Sequence, residues 1–488
     1  KDIEKPAYFW YNRIMKTLSY QYLGGFSMTQ IIPDNIKNEQ VLTKEIDAFF
    51  HRYINSSLLK KCGFYKRGGF PCISVLRALF SLVFTHKNLW RSLESTSALP
   101  FKKNTAYRFI NEGKFNWEKL VFSVAEKIVA YFSLMTSEDR ASALVIDDSL
   151  LTRDRSKNVE LFSRVFDHTT HKYRKGFRML TLGWTDGSSF IPLNFRLLSS
   201  QKESNVLCAS TNPKDKRTLE YKRRTKAISS TIDMVLDLLD QAKNIPAKYV
   251  LFDSWFTMPK TVAAIKAKHR EVIGMVRITE KIHYLYNGKW QNIKSIYSQI
   301  EKSKDNNPVV GTANIKLRAD KSSSEETWIN ARLVFVKNRN GKSDTWLALL
   351  STDVEIDAEE TVRIYGKRWD IEVFFKMCKS HLALGKEYQG RSYDTQVSTT
   401  AIVFLRYMMI AESVRINSDQ RTWGEIFFRF CDEVSDIQYT ESIKILVNTM
   451  IDILRESPVL TSGQADALIK QFLNALPKYI QAGLRLSS

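Results

Sequence analysis

Ile73 to Val83 places apolar residues at 73, 76, 79, 80 and 83, the spacing of a helix that buries one face. Trp117 to Phe132 does the same behind Asn116, whose side chain suits the start of a helix. Residues 28 to about 140 therefore read as helical, with a short polar helix candidate, Pro100 to Lys114, between the two runs. The pattern then changes. Ala143 to Ile146 is a brief apolar run that ends in Asp147-Asp148. Phe177 to Trp184 and Phe190 to Leu198 are strand-like and joined by a tight TDGSS turn. A helix from about Ala227 to Lys243 follows, then a strand from Lys248 to Phe252 that ends at Asp253. A helix (Pro259 to Lys268) and a strand (Glu271 to Val276) come next. Strands followed by alternating helix and strand predict an α/β fold with a mixed sheet.

From about 278 to 352 the chain is β-rich, with turn signals at Asn287-Gly288 and Asn340-Gly341. Leu333 to Val336 and Trp346 to Leu350 form a hairpin around the second turn. Helix resumes near Ala358 and runs past His381, and 399–483 is mostly amphipathic helix. The expected division is a flexible leader (1–27), a helical N-terminal DNA-binding domain (28–140), an α/β core in two parts (141–277 and 353–398), a β-rich insertion (278–352) and a helical C-terminal region (399–488).

The charge narrows the class of partner. Lys and Arg total 73 against 52 Asp and Glu, a formal charge of +21 on 488 residues. Such an excess repels itself in a compact state and suits an acidic partner, most commonly nucleic acid. A membrane surface is the competing partner, but the longest apolar helix-like stretch, Thr400 to Ala411, is broken by Arg406 and too short to span a bilayer. Five cysteines, at 62, 72, 208, 378 and 431, form no zinc-spaced cluster and read as reduced thiols of a cytoplasmic protein. With nucleic acid as the partner, Lys102, Lys103, Asn104, Thr105, Arg108 and Asn111 give Pro100 to Lys114 the donors of a helix in a DNA groove, although a solvated surface helix has the same composition. Lys214 to Lys226 holds seven basic residues, Lys222, Arg223 and Arg224 among them. It reads as a loop in reach of phosphates, against the alternative of a merely solvated one.

Asp147 and Asp253 each follow a short apolar strand, where a carboxylate faces the crevice at the sheet's edge. Alternation along a strand sends Asp147 and Asp148 to opposite faces. Asp147 is chosen because it ends the apolar run in register with a D-x-[ST] pattern (Asp147-Asp148-Ser149), which leaves Asp148 as a supporting or capping group. His168 and His171 read as solvent-facing. In Tyr365-Gly-Lys-Arg-Trp-Asp-Ile-Glu-Val-Phe-Phe-Lys-Met-Cys-Lys379, the residues Tyr365, Arg368, Glu372 and Lys379 fall on one narrow helical stripe. The burying stripe, Ile364, Ile371, Phe375 and Cys378, lies elsewhere. On spacing alone, a surface ion-pair ladder through Arg368 and Glu372 is the simpler reading.

Those four residues resemble, at every spacing, the Y-(2)-R-(3)-E-(6)-K signature of DDE transposases of the insertion-sequence-four family. The resemblance covers about Leu144 to Tyr393 and implies an RNase H-like catalytic core interrupted by an all-β insertion subdomain, with helical N- and C-terminal domains. It implies that Asp147, Asp253 and Glu372 hold two Mg²⁺ ions, with Mn²⁺ able to substitute, for cleavage at transposon ends and strand transfer into target DNA. It further implies that Arg368 and Lys379 grip the backbone, that Tyr365 hydrogen-bonds to it, and that Trp346 stacks on a flipped base, with Trp290 and Trp328 as alternatives. The implied partners are double-stranded DNA bearing terminal inverted repeats and a second copy of the chain, in the bacterial cytoplasm, with no membrane. A metal-dependent nuclease without strand transfer and a non-catalytic DNA-binding protein are the alternatives.

Overall fold

The structure is a computed structural model that describes residues 45–85, 89–90, 101–137, 140–167, 170–211, 215–303, 308–320, 322, 324–338, 345–417, 446–447, 449–457 and 460–476. The expected leader, His168, Lys214, the Asn340-Gly341 turn, Cys431 and nearly half of the C-terminal region lie outside them.

The N-terminal helices follow their apolar periodicity: α1 (Glu45–Tyr53), α2 (Ser56–Lys61), α3 (Cys72–Ser81), α4 (Lys103–Ile110) and α5 (Trp117–Leu134). Asn116 does cap α5, accepting from the Lys119 N–H at 2.9 Å. The buried faces of these helices join the same hydrophobic core as the sheet, so the helical region is packed onto the α/β body and has no separate core.

The strands are β1 (Ala143–Thr152), β2 (Ser163–Asp167), β3 (Lys172–Thr185), β4 (Phe190–Leu198), β5 (Tyr249–Phe252), β6 (Glu271–Met275), β7 (His283–Tyr286), β8 (Lys289–Asn292), β9 (Val309–Leu317), β10 (Ile329–Lys337) and β11 (Trp346–Ser351). They form one sheet in the order β2-β3-β1-β5-β6-β11-β10-β9-β7-β8, and β4 shares β3's outer edge with β2. The β1–β3 and β3–β4 pairings are antiparallel, whereas β5 runs parallel to both β1 and β6. All nine residues of β4 are buried, because helices cover it.

Several expectations are corrected. β1 does not end at Asp147 but runs on to Thr152, held by β3. β3 starts at Lys172 rather than Phe177, and β2 pairs with that early part. The helix expected from Ala227 to Lys243 is two: α6 (Leu219–Ala227) and α7 (Thr231–Gln241), separated where Ser230 caps α7 through the Asp233 N–H at 3.1 Å. α8 (Pro259–Lys266) lies between β5 and β6 as expected. The β-rich segment contains a helix, α9 (Ile293–Gln299), and is continuous with the core, since β11 pairs antiparallel with β6. Its first turn is as predicted: Asn287 and Gly288 take φ of 48° and 74°, left-handed values that suit a two-residue hairpin turn.

The helix expected from Ala358 is also two, α10 (Ala358–Gly366) and α11 (Trp369–Ser380). They are joined by a tight turn in which Arg368 N–H donates to Tyr365 O at 3.0 Å. α12 (Tyr393–Asn417) begins before the expected boundary at 399 and is not amphipathic, since 20 of its residues are buried. It is longer than its apolar stretch suggested, long and apolar enough to cross a membrane by length and composition. Its faces are instead covered by protein, and Arg406 is held within by Glu387 at 2.7 Å. α13 (Ser462–Ala475) is the last described helix.

Candidate active site

β5 pairs with β1 only over residues 143–145, whereas β1 continues along β3. A crevice opens where β5 stops. The parallel register sets Val145 beside Leu251, and carrying it on by two residues sets Asp147 beside Asp253 on the same face. Asp147 Oδ1 accepts from the Asp148 N–H at 2.8 Å, and Asp253 Oδ1 accepts from the Trp255 N–H at 3.0 Å. Both side chains are thus oriented by their own local backbone. Asp148 is held by Arg178, whose Nε donates to its Oδ2 at 2.7 Å.

The α10–α11 pair delivers the other groups. Ile364, Ile371, Phe375 and Cys378 are all buried, as the sequence required. Asp370 accepts from Thr185 Oγ1 at 2.6 Å and ties α11 to the end of β3. Arg368 bridges two elements: Nη1 donates to Asp147 Oδ2 at 3.1 Å and Nη2 to Glu372 Oε1 at 2.6 Å. The i,i+4 pair of a ladder is present, but its arginine is only 14% exposed and also reaches a strand carboxylate. A solvated ladder does not describe it. Lys379 Nζ donates to Ser149 Oγ at 2.6 Å, on the strand that carries Asp147. The Tyr365 hydroxyl is buried and, although Arg368 lies close, makes no hydrogen bond among the described residues. The break between α10 and α11 means that the four signature residues converge through a bend, not along one straight helix.

The electrostatics set this cluster apart. Burial pushes Asp147 up to about 8; Arg368 opposes the shift, and Asp253 and Asp148 add to it. Burial also raises Asp253. Burial works against the charge on Arg368, but Tyr365, Asp147 and Glu372 outweigh it and hold the guanidinium above its ordinary range. Burial raises Tyr365 to about 12 and lowers Lys379. Asp147 and Asp253 are therefore buried with too little positive charge to ionise both comfortably. Hard oxygen donors in that state suit a divalent cation. As the side chains stand, with Arg368 between Asp147 and Glu372, no three acidic, His or Cys groups among the described residues converge closely enough to hold one.

Beside the carboxylates lies a cleft of about 1140 Å³ bordered by Asp253, Asp148, Ser149 and Lys379. Arg164, Arg178, Lys202 and Arg277 also line it. Of the proposed triad only Asp253 reaches its wall. The sequence reading did not single out these basic residues or Trp255, since they are dispersed over five segments and only the fold gathers them.

Other expected DNA contacts fare unevenly. Lys103 and Arg108 are exposed on α4, as are Lys102 and Asn104, and Lys103 Nζ lies 4.6 Å from the Trp90 ring centroid. Asn111 is exposed too, but its side-chain oxygen accepts from Thr395 Oγ1 at 3.2 Å. In the basic run only part is loop, and Lys222 is exposed on α6. Arg223 and Arg224 are corrected: they are 3% and 5% exposed. Arg224 donates to Glu160 at 2.6 and 2.8 Å and to Asp394 at 2.7 Å, and Arg223 pairs with Asp394. An i,i+1 pair on an amphipathic helix end turned both guanidinia inward, which a count of charges does not reveal. Trp346 stacks on Tyr297 at 4.3 Å and meets Phe335 edge-on, so one ring face is already covered by its own subdomain. Trp290 and Trp328 pack against each other, and Arg318 lies 3.9 Å from the Trp290 centroid. His171, at the β2–β3 turn, is exposed as expected.

The stretch that carries both strand aspartates matches a known family. Residues 76–298, just under half of the chain, match the family described as DDE superfamily endonuclease. The match includes Asp147 and Asp253 and stops before the Tyr365–Lys379 segment. It supports a phosphodiester-cleaving enzyme of the nuclease or transposase type acting on DNA, and enzymes of this superfamily generally use divalent metal ions. No curated protein matches the chain.

Proposed function

We propose that the protein is a DNA transposase that cuts the ends of its element and joins them to target DNA, with Asp147, Asp253 and Glu372 as its catalytic carboxylates. The observation that carries the reading is the meeting of Asp147 and Asp253 on adjacent parallel strands with Glu372, brought to Asp147 through Arg368. The order β4-β3-β1-β5-β6, antiparallel then parallel, is read as an RNase H-like core. The strands from β7 to β11 are read as its insertion, fused to the core through β11.

The three carboxylates would hold Mg²⁺, two ions by the family resemblance, and Mn²⁺ in its place. When bound, the metal supplies Lewis-acid stabilisation of charge on the scissile phosphate and activation of the attacking oxygen. The chain's own residues do the rest. Asp253 borders the cleft and presents its carboxylate to the DNA. Lys379, held by Ser149, and Arg368, held by the carboxylates, supply positive charge where phosphate enters. Tyr365 keeps an unpaired hydroxyl beside Arg368. The exposed donors of α4 contact duplex outside the site, and a second copy of the chain pairs the two element ends.

The test is a cleavage assay on DNA ending in the element's own inverted repeat, with target plasmid and Mg²⁺ or Mn²⁺, products mapped to the nucleotide. Wild-type protein is expected to cut at the end and yield joined product. Asp253→Asn should reduce cutting about a thousandfold or more, the several kcal/mol that metal-assisted charge stabilisation supplies. Cutting without joined product would leave a nuclease of the same superfamily, and full activity in Asp253→Asn would remove the carboxylate from the reaction.

A further inference from the structure

Among the described residues seven large aromatic side chains are exposed: Tyr65, Phe70, Trp90, Tyr131, Phe166, Tyr173 and Trp255. Three of them, Phe166, Tyr173 and Trp255, line the cleft beside the carboxylates. Exposed aromatic surface is costly in water, and its concentration in one charged cleft calls for a partner with flat apolar faces. Trp255 is 48% exposed, and its backbone N–H donates to Asp253, so the indole is carried two residues from a proposed catalytic carboxylate. Tyr173 is 67% exposed and sits directly across the β2–β3 ladder from Phe166, their rings 5.3 Å apart.

Cations alternate with these rings. Strand alternation places Arg164 and Phe166 on the same exposed face of β2, with Val165 buried between them. Arg178 approaches the Trp255 ring at 5.9 Å to its centroid. Arg164 and Lys202 have no carboxylate partner among the described residues, so their charge is available to a polyanion. The nine residues of β3 from Tyr173 to Thr181, the register partner of Asp147, span about 26 Å, room for several nucleotides.

Intact duplex hides its base faces and offers phosphates only. Flat platforms interleaved with cations suit bases that have left the stack, with phosphates on the arginines and lysines. We infer that this cleft binds an unpaired DNA strand, its bases stacked on Trp255 next to the carboxylates and on Tyr173 along the β2–β3 hairpin. The inference rests on the proposed DNA-cutting function and deepens it: the strand entering the site is separated from its complement.

The test uses the full chain, with chelator present to prevent cutting, and three labelled probes of one sequence: unpaired, blunt duplex, and duplex with an unpaired tail. The tailed and unpaired probes are expected to bind at least about tenfold tighter than blunt duplex at equal salt, the worth of one stacked base. Trp255→Ala and Tyr173→Ala should each weaken binding of the unpaired probe about 5- to 100-fold, while leaving blunt-duplex binding within about twofold. Trp255→Phe should retain most of the preference. Tyr173 is remote from the carboxylates and well exposed, so its variant tests the cleft even where Trp255→Ala disturbs the site. Equal affinity for tailed and blunt probes, or no loss in either alanine variant, overturns the inference. Wild-type cutting with metal in that case leaves the proposed function standing, whereas failure both to bind and to cut any DNA overturns both.

Discussion

Asp147 and Glu372 are bound by one guanidinium, that of Arg368, whereas Glu160 and Asp394 are bound by two, those of Arg223 and Arg224. Both clusters are built from the same side chains and both are largely out of water. In the second, charge balances. Burial pushes Glu160 up, but Arg224, the Tyr393 N–H and Thr211 outweigh it and bring the carboxyl to about 2. That cluster ties α6 to the loop before β2 and to the start of α12, a fastening role. In the first, burial pushes Asp147 up, Arg368 alone does not outweigh it, Asp253 and Asp148 add to it, and the carboxyl rises to about 8. The comparison teaches that buried charge alone does not mark an active site. A deficit of counter-charge does, because it leaves work for a ligand from outside.

The largest expected effect breaks the balanced cluster. Arg224→Ala strands Glu160 without its main partner and should cost about 3–5 kcal/mol of unfolding free energy, read by urea denaturation. A loss under about 1 kcal/mol would mean that the pair is not a fastening and would weaken the contrast.

Next come the opposite pH signatures. Asp147 has a folded pKa raised from 3.8 to about 8, so its stabilising contribution is present below about 4 and lost as pH rises through 8. Asp147→Asn in metal-free protein should therefore raise stability at pH 9 by on the order of 2 kcal/mol and change little at pH 4. Glu160 behaves in reverse: with its pKa lowered from 4.5 to about 2, its contribution is present above 4.5 and lost as pH falls through 2. Glu160→Gln should flatten the acid limb only. Thermal melts across pH check both, and the same slope in both variants would erase the distinction between the clusters.

A smaller effect sharpens the role of Arg368. Lysine keeps the charge but cannot bridge Asp147 and Glu372 with one planar fork, so Arg368→Lys should slow cleavage about 10- to 100-fold. Its melting temperature should fall by no more than a few degrees. An unchanged cleavage rate would return Arg368 to a structural pair. The smallest effect is expected at Lys222, the exposed member of the basic run. Lys222→Ala should lower the slope of log affinity against log salt by about 0.9 if it touches one phosphate. A slope unchanged within error would assign it to solvent.

Much of the site was legible because local rules govern it. The apolar runs that lead into Asp147 and Asp253, and the apolar stripe from Ile364 to Cys378, follow from periodicity within a dozen residues. The choice of Asp147 over Asp148 rested on its place at the end of the apolar run, in register with a D-x-[ST] pattern; in the structure Arg368 holds Asp147 and Arg178 holds Asp148. The basic run misled at Arg223 and Arg224, since a charge is read as solvent-facing until its partner is known. Those partners, Glu160 and Asp394, lie 64 and 170 residues away from Arg224. The packing of Trp346 was hidden for the same reason: its stacking partner Tyr297 comes from another element.

The sequence by itself determined which segments are helix and strand over most of the described chain, the order of the carboxylates along it, and an excess of positive charge that requires an acidic partner. These depend on side-chain spacing and composition, which are local. Only the tertiary structure decided that β11 joins β6 and fuses the β-rich segment to the core. It also decided that α12 is a central buried helix, that the signature segment bends between Tyr365 and Trp369, and that Trp255, Tyr173 and Arg164 share one cleft. Each of these depends on which distant surfaces exclude water together, and burial against a remote partner leaves no periodic trace in either segment alone.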